Sequence, residues 1–269
     1  MILFPNCKIN LGLHVTRKRE DNYHDIESIF YPVPLNDILE IIPSNSFEHH
    51  FLGLPIPGET SKNLCVKAYD LLKKDFPDLP LIKFFLYKNI PTGAGLGGGS
   101  SDGSFMLQLL NEEFCLGLSD EQLIGYALQL GSDCPFFIIN KPCFASGRGE
   151  ILEPVKISLS SYSFFFVHPD IHIDTAWAFS QLKPSVPEKS LTEIIKQPIT
   201  TWKDDLKNDF EKPVMKEFPE LKMIKQKLYD AGALYASMSG SGSTIFGIFE
   251  KTRTLNVDMD KRYKTTFIK

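Results

Sequence analysis

The chain has 269 residues, 43% of them hydrophobic and 23% charged, with a formal charge of −4. That balance excludes a disordered or fibrous chain, and it offers no basic footprint for a nucleic-acid groove or an anionic membrane surface. The length suits two lobes, each with its own core.

The strongest apolar runs, residues 84–86 and 164–167, fall far short of the roughly 18 residues that a membrane span needs, and they read as strands. The N-terminus has no basic region followed by a long apolar stretch, so the expected compartment is the cytoplasm. Five cysteines (Cys7, Cys65, Cys115, Cys134 and Cys143) are scattered without a C-x-x-C pair. They suit reduced thiols, each read as a small buried hydrophobe.

Residues 7–15 alternate as a strand, with Ile9, Leu11, Leu13 and Val15 on one face and Lys8 and Asn10 on the other. Two further strands are predicted at 26–31 and 38–42, with Pro32 and Pro34 as a break between them. Residues 47–62 are turn-rich. A helical stripe of Leu64, Ala68, Leu71 and Leu72 follows Asn63, then a strand at 82–87. Ser119 and Gln122 form a capping-box pattern for a helix ending near Gly131, and the apolar run 136–139 reads as a strand. Beyond a turn at 146–149, the second lobe is predicted to hold a strand at 162–167, helices at about 174–182, 204–217 and 219–231, and strands at 244–249 and 263–268. The expected division is an ATP-binding lobe at 1–152 and a substrate-side lobe at 153–269.

Between the strand at 82–87 and a helical run after Asp102 lies Pro91, Thr92, Gly93, Ala94, Gly95, Leu96, Gly97, Gly98, Gly99, Ser100, Ser101 and Asp102. Glycines strip away side chains where backbone must approach a guest closely, and converging amides at a helix N-terminus bind phosphate without lysine or arginine. A flexible linker is the bland alternative, but linkers lack an abutting strand and helix. Gly93, Gly95 and Gly98 also match G-x-G-x-x-G, yet Asp120 lies in a capping sequence rather than at a strand end, which argues against a dinucleotide fold. The P-loop fails because Gly99-Ser100 stands where G-K-[ST] is required, and neither H-R-D nor D-F-G occurs.

The segment 91–102 resembles the central motif of the GHMP kinases, the family of galactokinase, homoserine, mevalonate and phosphomevalonate kinases. Lys8-Ile9-Asn10-Leu11 resembles its N-terminal strand motif, and the run 239–244, S-G-S-G-S-T, its C-terminal glycine loop. The resemblance implies an α+β fold with a ribosomal-S5-like first lobe, a ferredoxin-like second lobe and an active site in the cleft. Within the family, Asp21-Asn22-Tyr23-His24, Val167-His168-Pro169 and Asn208-Asp209 resemble marks of the members that act on a cytidine diphosphate-linked methylerythritol. That implies ATP, Mg²⁺ and transfer of the γ-phosphoryl group to the 2-hydroxyl of the methylerythritol moiety. A mevalonate- or homoserine-type kinase, or a non-catalytic nucleotide-binding regulator, is the alternative.

By the same resemblance Lys8 and Asp133 are the catalytic pair, the aspartate as base or as electrostatic anchor. Taken without it, a solvated strand lysine and a capping aspartate account for them equally well. Residues 91–101 are assigned to ATP. Ser100 and Ser101 can cap the helix, touch phosphate or meet Mg²⁺, and the metal ligands are left unassigned. Tyr23 is expected to stack on cytosine with Phe179 as the second face, and His24 to read the base edge; ordinary helix packing is the alternative for Phe179. Asn10 is expected at the substrate or the lysine, with a backbone-bonded amide as its alternative. Asn63 and Lys88 align with the adenine side, against a helix cap and an exposed lysine. Cys7, Asn22 and Gly103 depart from the usual alanine, glycine and alanine. A monomer or weak homodimer is expected, with no nucleic-acid or membrane partner.

Overall fold

The computed structural model describes residues 1–252 and 257–269. It resolves into two units that interleave along the chain: Met1–Lys8, Pro32–Thr92 and Gly97–Lys141 form the first, and Ile9–Tyr31, Gly93–Leu96 and Pro142–Lys269 the second.

The first unit contains a four-stranded sheet in the order β1 (Ile2–Leu3), β4 (Ile38–Pro43), β6 (Ile82–Lys88) and β5 (Glu48–Gly53). All its pairings are antiparallel except that of β5 with β6. Strand β5 falls in the stretch predicted to be turns; its His49 and Phe51 pack on Phe84. Helices α1 (Leu64–Asp75), α2 (Gly98–Glu113), α3 (Asp120–Leu130) and α4 (Cys134–Ile139) complete the unit. Leu39, Ile41, Phe84, Leu86, Leu72, Met106 and Leu110 are all buried. The Ser119 and Gln122 capping box is present at the start of α3, and Gly131 ends it.

Helix α4 corrects the strand expected at 136–139. Cys134, Pro135, Phe136 and Phe137 are all buried, so the run shows no polar face from which a period could be read. Pro135 sits in the first turn, where its fixed φ favours a helix.

In the second unit lie most of a sheet ordered β2 (Asn6–Lys18), β3 (His24–Asn36), β7 (Cys143–Ser146) and β8 (Ile151–Pro154), and a second sheet ordered β10 (Tyr235–Met238), β11 (Ile245–Glu250), β9 (Tyr162–His168) and β12 (Lys264–Ile268). The second sheet is antiparallel throughout. Strand β3 runs through Pro32 and Pro34, where the sequence predicts a break. Its pairing with β7 stops at Phe30, so the amide hydrogens the prolines lack are not required by that ladder. Strand β2 is buried on both faces, so Lys8 and Asn10 do not lie on a solvated side.

Among the described residues, helices α5 (Thr175–Ser180), α6 (Leu191–Ile194), α7 (Trp202–Asp205), α8 (Glu211–Glu217) and α9 (Pro219–Asp230) follow. The single helix predicted at 204–217 is therefore interrupted. Asn208 breaks it by competing for backbone groups: its Oδ1 accepts from Phe210 N at 3.0 Å, and its Nδ2 donates to Met238 O and Gly240 O. Phe210, Val214, Leu221, Ile224 and Leu228 pack in one core with Leu13, Val15, Ile245 and Phe249. Among the described residues no helix is long and apolar enough to cross a membrane.

Candidate active site

The glycine-rich segment enters α2 directly. Gly97 caps the helix in the left-handed region, and Gly98, Gly99, Ser100 and Ser101 form the first turn, which carries no acidic residue. Its free amides and the positive end of a long helix dipole make an anion site. A Cβ on Gly99 would meet nothing within 4 Å, so space is open there; one on Gly97 would press on Phe137 at 2.9 Å and on the Lys8 stem at 3.1 Å. Pro91, Ala94, Leu96 and Gly98 are buried, whereas Thr92 is exposed. Ser100 is half-buried, and the Ser101 hydroxyl is buried without a hydrogen-bond partner.

In the second unit, the middle of the same segment is gripped by the glycine loop before β11. Ser239 Oγ donates to Gly95 O at 2.7 Å, and Thr244 N donates to Ala94 O at 3.3 Å. Gly95 has φ +78°, and a Cβ there would lie 1.9 Å from Ser239 O. No other residue fits.

Lys8 and Asp133 meet. The Lys8 ammonium lies 3.4 Å from Asp133 Oδ2, the lysine side chain 5% exposed and the aspartate 35%. Asp133 stands at the N-cap of α4 but makes no side-chain capping bond, so its carboxylate is turned to the lysine and not to the helix. Ser104 Oγ lies 2.9 Å from Ser100 O and 2.7 Å from Cys134 O, which fastens the entrance of α4 to the first turn of α2. A half-exposed carboxylate beside a buried ammonium, next to an anion site, can receive a hydroxyl proton while the cation steadies developing negative charge.

In the second unit Asn10 Nδ2 donates to Ser28 Oγ at 2.8 Å, and Ser28 Oγ in turn to Gly12 O at 2.6 Å. The amide is thus bound within β2 and β3. His24 stacks on Phe179, with ring centroids 4.8 Å apart and planes at 13°. Phe179 also meets the edge of Phe210. Tyr23 is 56% exposed, with the Arg148 guanidinium over its ring. Burial, helped by the charge of Lys18, holds the His24 imidazole below its usual range. Asn22 has φ 67°, a left-handed position that asparagine tolerates, which accounts for its standing where a glycine is usual.

The two residues aligned with the adenine side both have partners within the protein. Asn63 caps α1, its Oδ1 accepting from Cys65 N at 2.8 Å. Lys88 is 2% exposed, and its ammonium is enclosed by Asp37 and Asp102. It is therefore an interior cation, which removes the exposed-lysine alternative. Burial pulls its pKa down, but the two carboxylates outweigh that and raise it. Asp37, Asp102, Ser239 and Arg148 were not singled out from sequence as site residues. Only Asp102, adjoining the glycine motif, and Ser239, opening the second one, carried a signal.

The fold and this loop define a kinase class, and the chain belongs to the GHMP kinase family. The family model "GHMP kinases N terminal domain" matches residues 63–141, and "GHMP kinases C terminal" matches 190–257. A 4-diphosphocytidyl-2-C-methyl-D-erythritol kinase of Bacteroides fragilis is 54% identical over 253 residues, covering 93% of this chain and 92% of the relative. A crystal structure of 4-(cytidine 5'-diphospho)-2C-methyl-D-erythritol kinase superimposes with TM-score 0.81 at 30% identity, covering 92% of this chain and 90% of that one. A mevalonate kinase crystal structure shares the fold, with TM-score 0.70 at 13% identity over 93% of this chain and 91% of that one.

Proposed function

We propose that this chain is an ATP-dependent kinase that transfers the γ-phosphoryl group to the 2-hydroxyl of 4-diphosphocytidyl-2-C-methyl-D-erythritol, in the non-mevalonate route to isoprenoids. The identity of 54% with the Bacteroides fragilis kinase, over nearly the full length of both chains, carries the reading of the substrate. The Lys8–Asp133 pair beside the first turn of α2 supports the chemistry.

In this reading residues 91–101 hold the ATP phosphates through backbone amides and the α2 dipole. Asp133 receives the proton of the acceptor hydroxyl, and the oxygen forms its bond to γ-phosphorus as the bond to the β-phosphate oxygen breaks, releasing ADP. Lys8 steadies the nucleophile and orients Asp133. Tyr23, His24 and Phe179 bind the cytosine, the neutral His24 ring offering one donor and one acceptor to its edge. Asn10 supports the acceptor side through β2, and Asn63 sets the start of α1. Among the described residues no group of three His, Cys, Asp or Glu side chains is placed to hold a metal ion. Mg²⁺ would enter with ATP and offset phosphate charge, with the hydroxyls of Ser100 and Ser101 at the first turn of α2 as the nearby protein oxygens. Lobes at 1–152 and 153–269, nucleotide-side and substrate-side, and a cytoplasmic enzyme complete the reading.

The test is a panel of acceptors offered to the purified protein with Mg²⁺ and ATP. Phosphate transfer to the cytidine diphosphate-linked methylerythritol is expected; transfer to mevalonate or homoserine in its place overturns the assignment.

A further inference from the structure

We propose that Asp37, Lys88 and Asp102 form a buried clamp that fixes both ends of the phosphate loop and thereby sets the affinity for ATP. The proposal rests on reading residues 91–101 as the ATP site.

The three side chains are 0%, 2% and 4% exposed. Asp37, between β3 and β4, accepts through Oδ1 from Asn89 N at 2.5 Å and from Ile90 N at 2.8 Å. Those are the last two amides before Pro91 opens the loop. The other Asp37 oxygen accepts from Lys88 Nζ, which also donates to Asp102 Oδ2 at 2.6 Å. Asp102 stands in α2 directly after Ser100 and Ser101. One carboxylate therefore holds the chain entering the loop, and one ammonium joins it to the helix leaving the loop.

The clamp lies against the anion site itself. A Cβ on Gly98 would come within 2.8 Å of Ile90 Cγ2 and 3.4 Å of Lys88 Nζ. Three buried charged groups are a costly way to fill a core, and apolar residues of similar volume often serve stability as well or better. What apolar residues cannot supply is directional registry. Two hydrogen bonds to successive amides and an ammonium shared between two carboxylates define where the loop begins relative to α2.

The charges are compatible with a polyanion above them. Burial drives the Asp102 pKa well above the carboxylate range; Lys88 offsets this in part, and the charge and hydrogen bonding of Asp37 add to it. A raised pKa lessens the negative charge that Asp102 places beneath the phosphates, and Lys88 counters the charge of Asp37.

The test measures kcat, KM for ATP, KM for the acceptor and the calorimetric Kd of Mg-ATP on the full chain, with each variant held well below its unfolding midpoint. Lys88→Met, Asp37→Asn and Asp102→Ala are expected to raise the ATP KM and Kd at least tenfold and to leave the acceptor KM within twofold. Asp102→Asn keeps a carbonyl oxygen for Lys88 and gains an amide for Asp37, so it should recover most of the affinity that Asp102→Ala loses. Folded variants with unchanged ATP Kd overturn the clamp, as does a loss that follows only the folded fraction. Should Lys88→Met fail to fold, equal ATP affinity of Asp102→Ala and Asp102→Asn decides against it. A wild-type chain that binds no ATP overturns the underlying reading instead.

Discussion

Ser239 donates its hydroxyl to the carbonyl of Gly95 at 2.7 Å, so two glycine-rich segments far apart in sequence are one built element. The Ser239 carbonyl occupies the space where a side chain at Gly95 would begin.

Gly95→Ala is therefore expected to lose about 2 kcal/mol or more of stability, from a backbone clash combined with a left-handed φ. Ser239→Ala, which removes only a hydrogen bond, should cost about 1 kcal/mol. Thermal unfolding of the two variants checks the order, and equal losses would contradict it.

The Lys8–Asp133 pair predicts a kinetic signature. Asp133→Asn should lower kcat by about 100-fold or more while the Kd for ATP stays near wild type. If the aspartate is the base, the acid limb of the kcat profile disappears in this variant. If it only anchors Lys8, the limb persists and Lys8→Met shows an equal loss.

His24 predicts a pH dependence. Its folded pKa is held below the usual value of about 6.5, so the unfolded chain binds the extra proton first as pH falls. The stability linked to the neutral ring is present above that value and is lost as pH drops through the lowered folded pKa. Proton NMR of the His24 ring should titrate below about 6.5. Cytidine diphosphate affinity should fall across the same window, and His24→Gln should flatten it.

Asp102 has the opposite sign. Its raised folded pKa means that the folded chain keeps a proton the unfolded chain has released, so stability falls as pH rises from the unfolded value toward the folded one. Asp102→Asn removes this penalty and is expected to raise the unfolding midpoint at neutral pH by about 2 °C or more. Melting curves of the two proteins should draw together only as pH falls toward the unfolded value of about 4.

Local chemistry was legible in the sequence. The capping box at Ser119 and the glycine entry to α2 each depend on a few adjacent residues, and each is present. Elements decided by distant partners were not. The run 136–139 is apolar throughout and shows neither period, and β3 crosses two prolines beyond the point where its ladder with β7 has ended. Within the site, Lys8 and Asp133 were found through resemblance, since nothing near either residue announces the other. The stacking of His24 on Phe179 and the Asp37 clamp depend on side-chain positions that no spacing encodes.

The interleaving of the two units bears on the order in which the enzyme can be finished. Residues Gly93–Leu96 belong with Pro142–Lys269, while the flanking parts of the same loop belong with the first unit. A ribosome that has released residue 141 has supplied every residue of the first unit, yet Gly95 still lacks Ser239 as its partner. Long-range pairing of this kind is slow and comes late. The centre of this loop therefore cannot be set until Ser239 has been made, and a chain cut short before Ser239 would keep its central glycine motif without the means to set it.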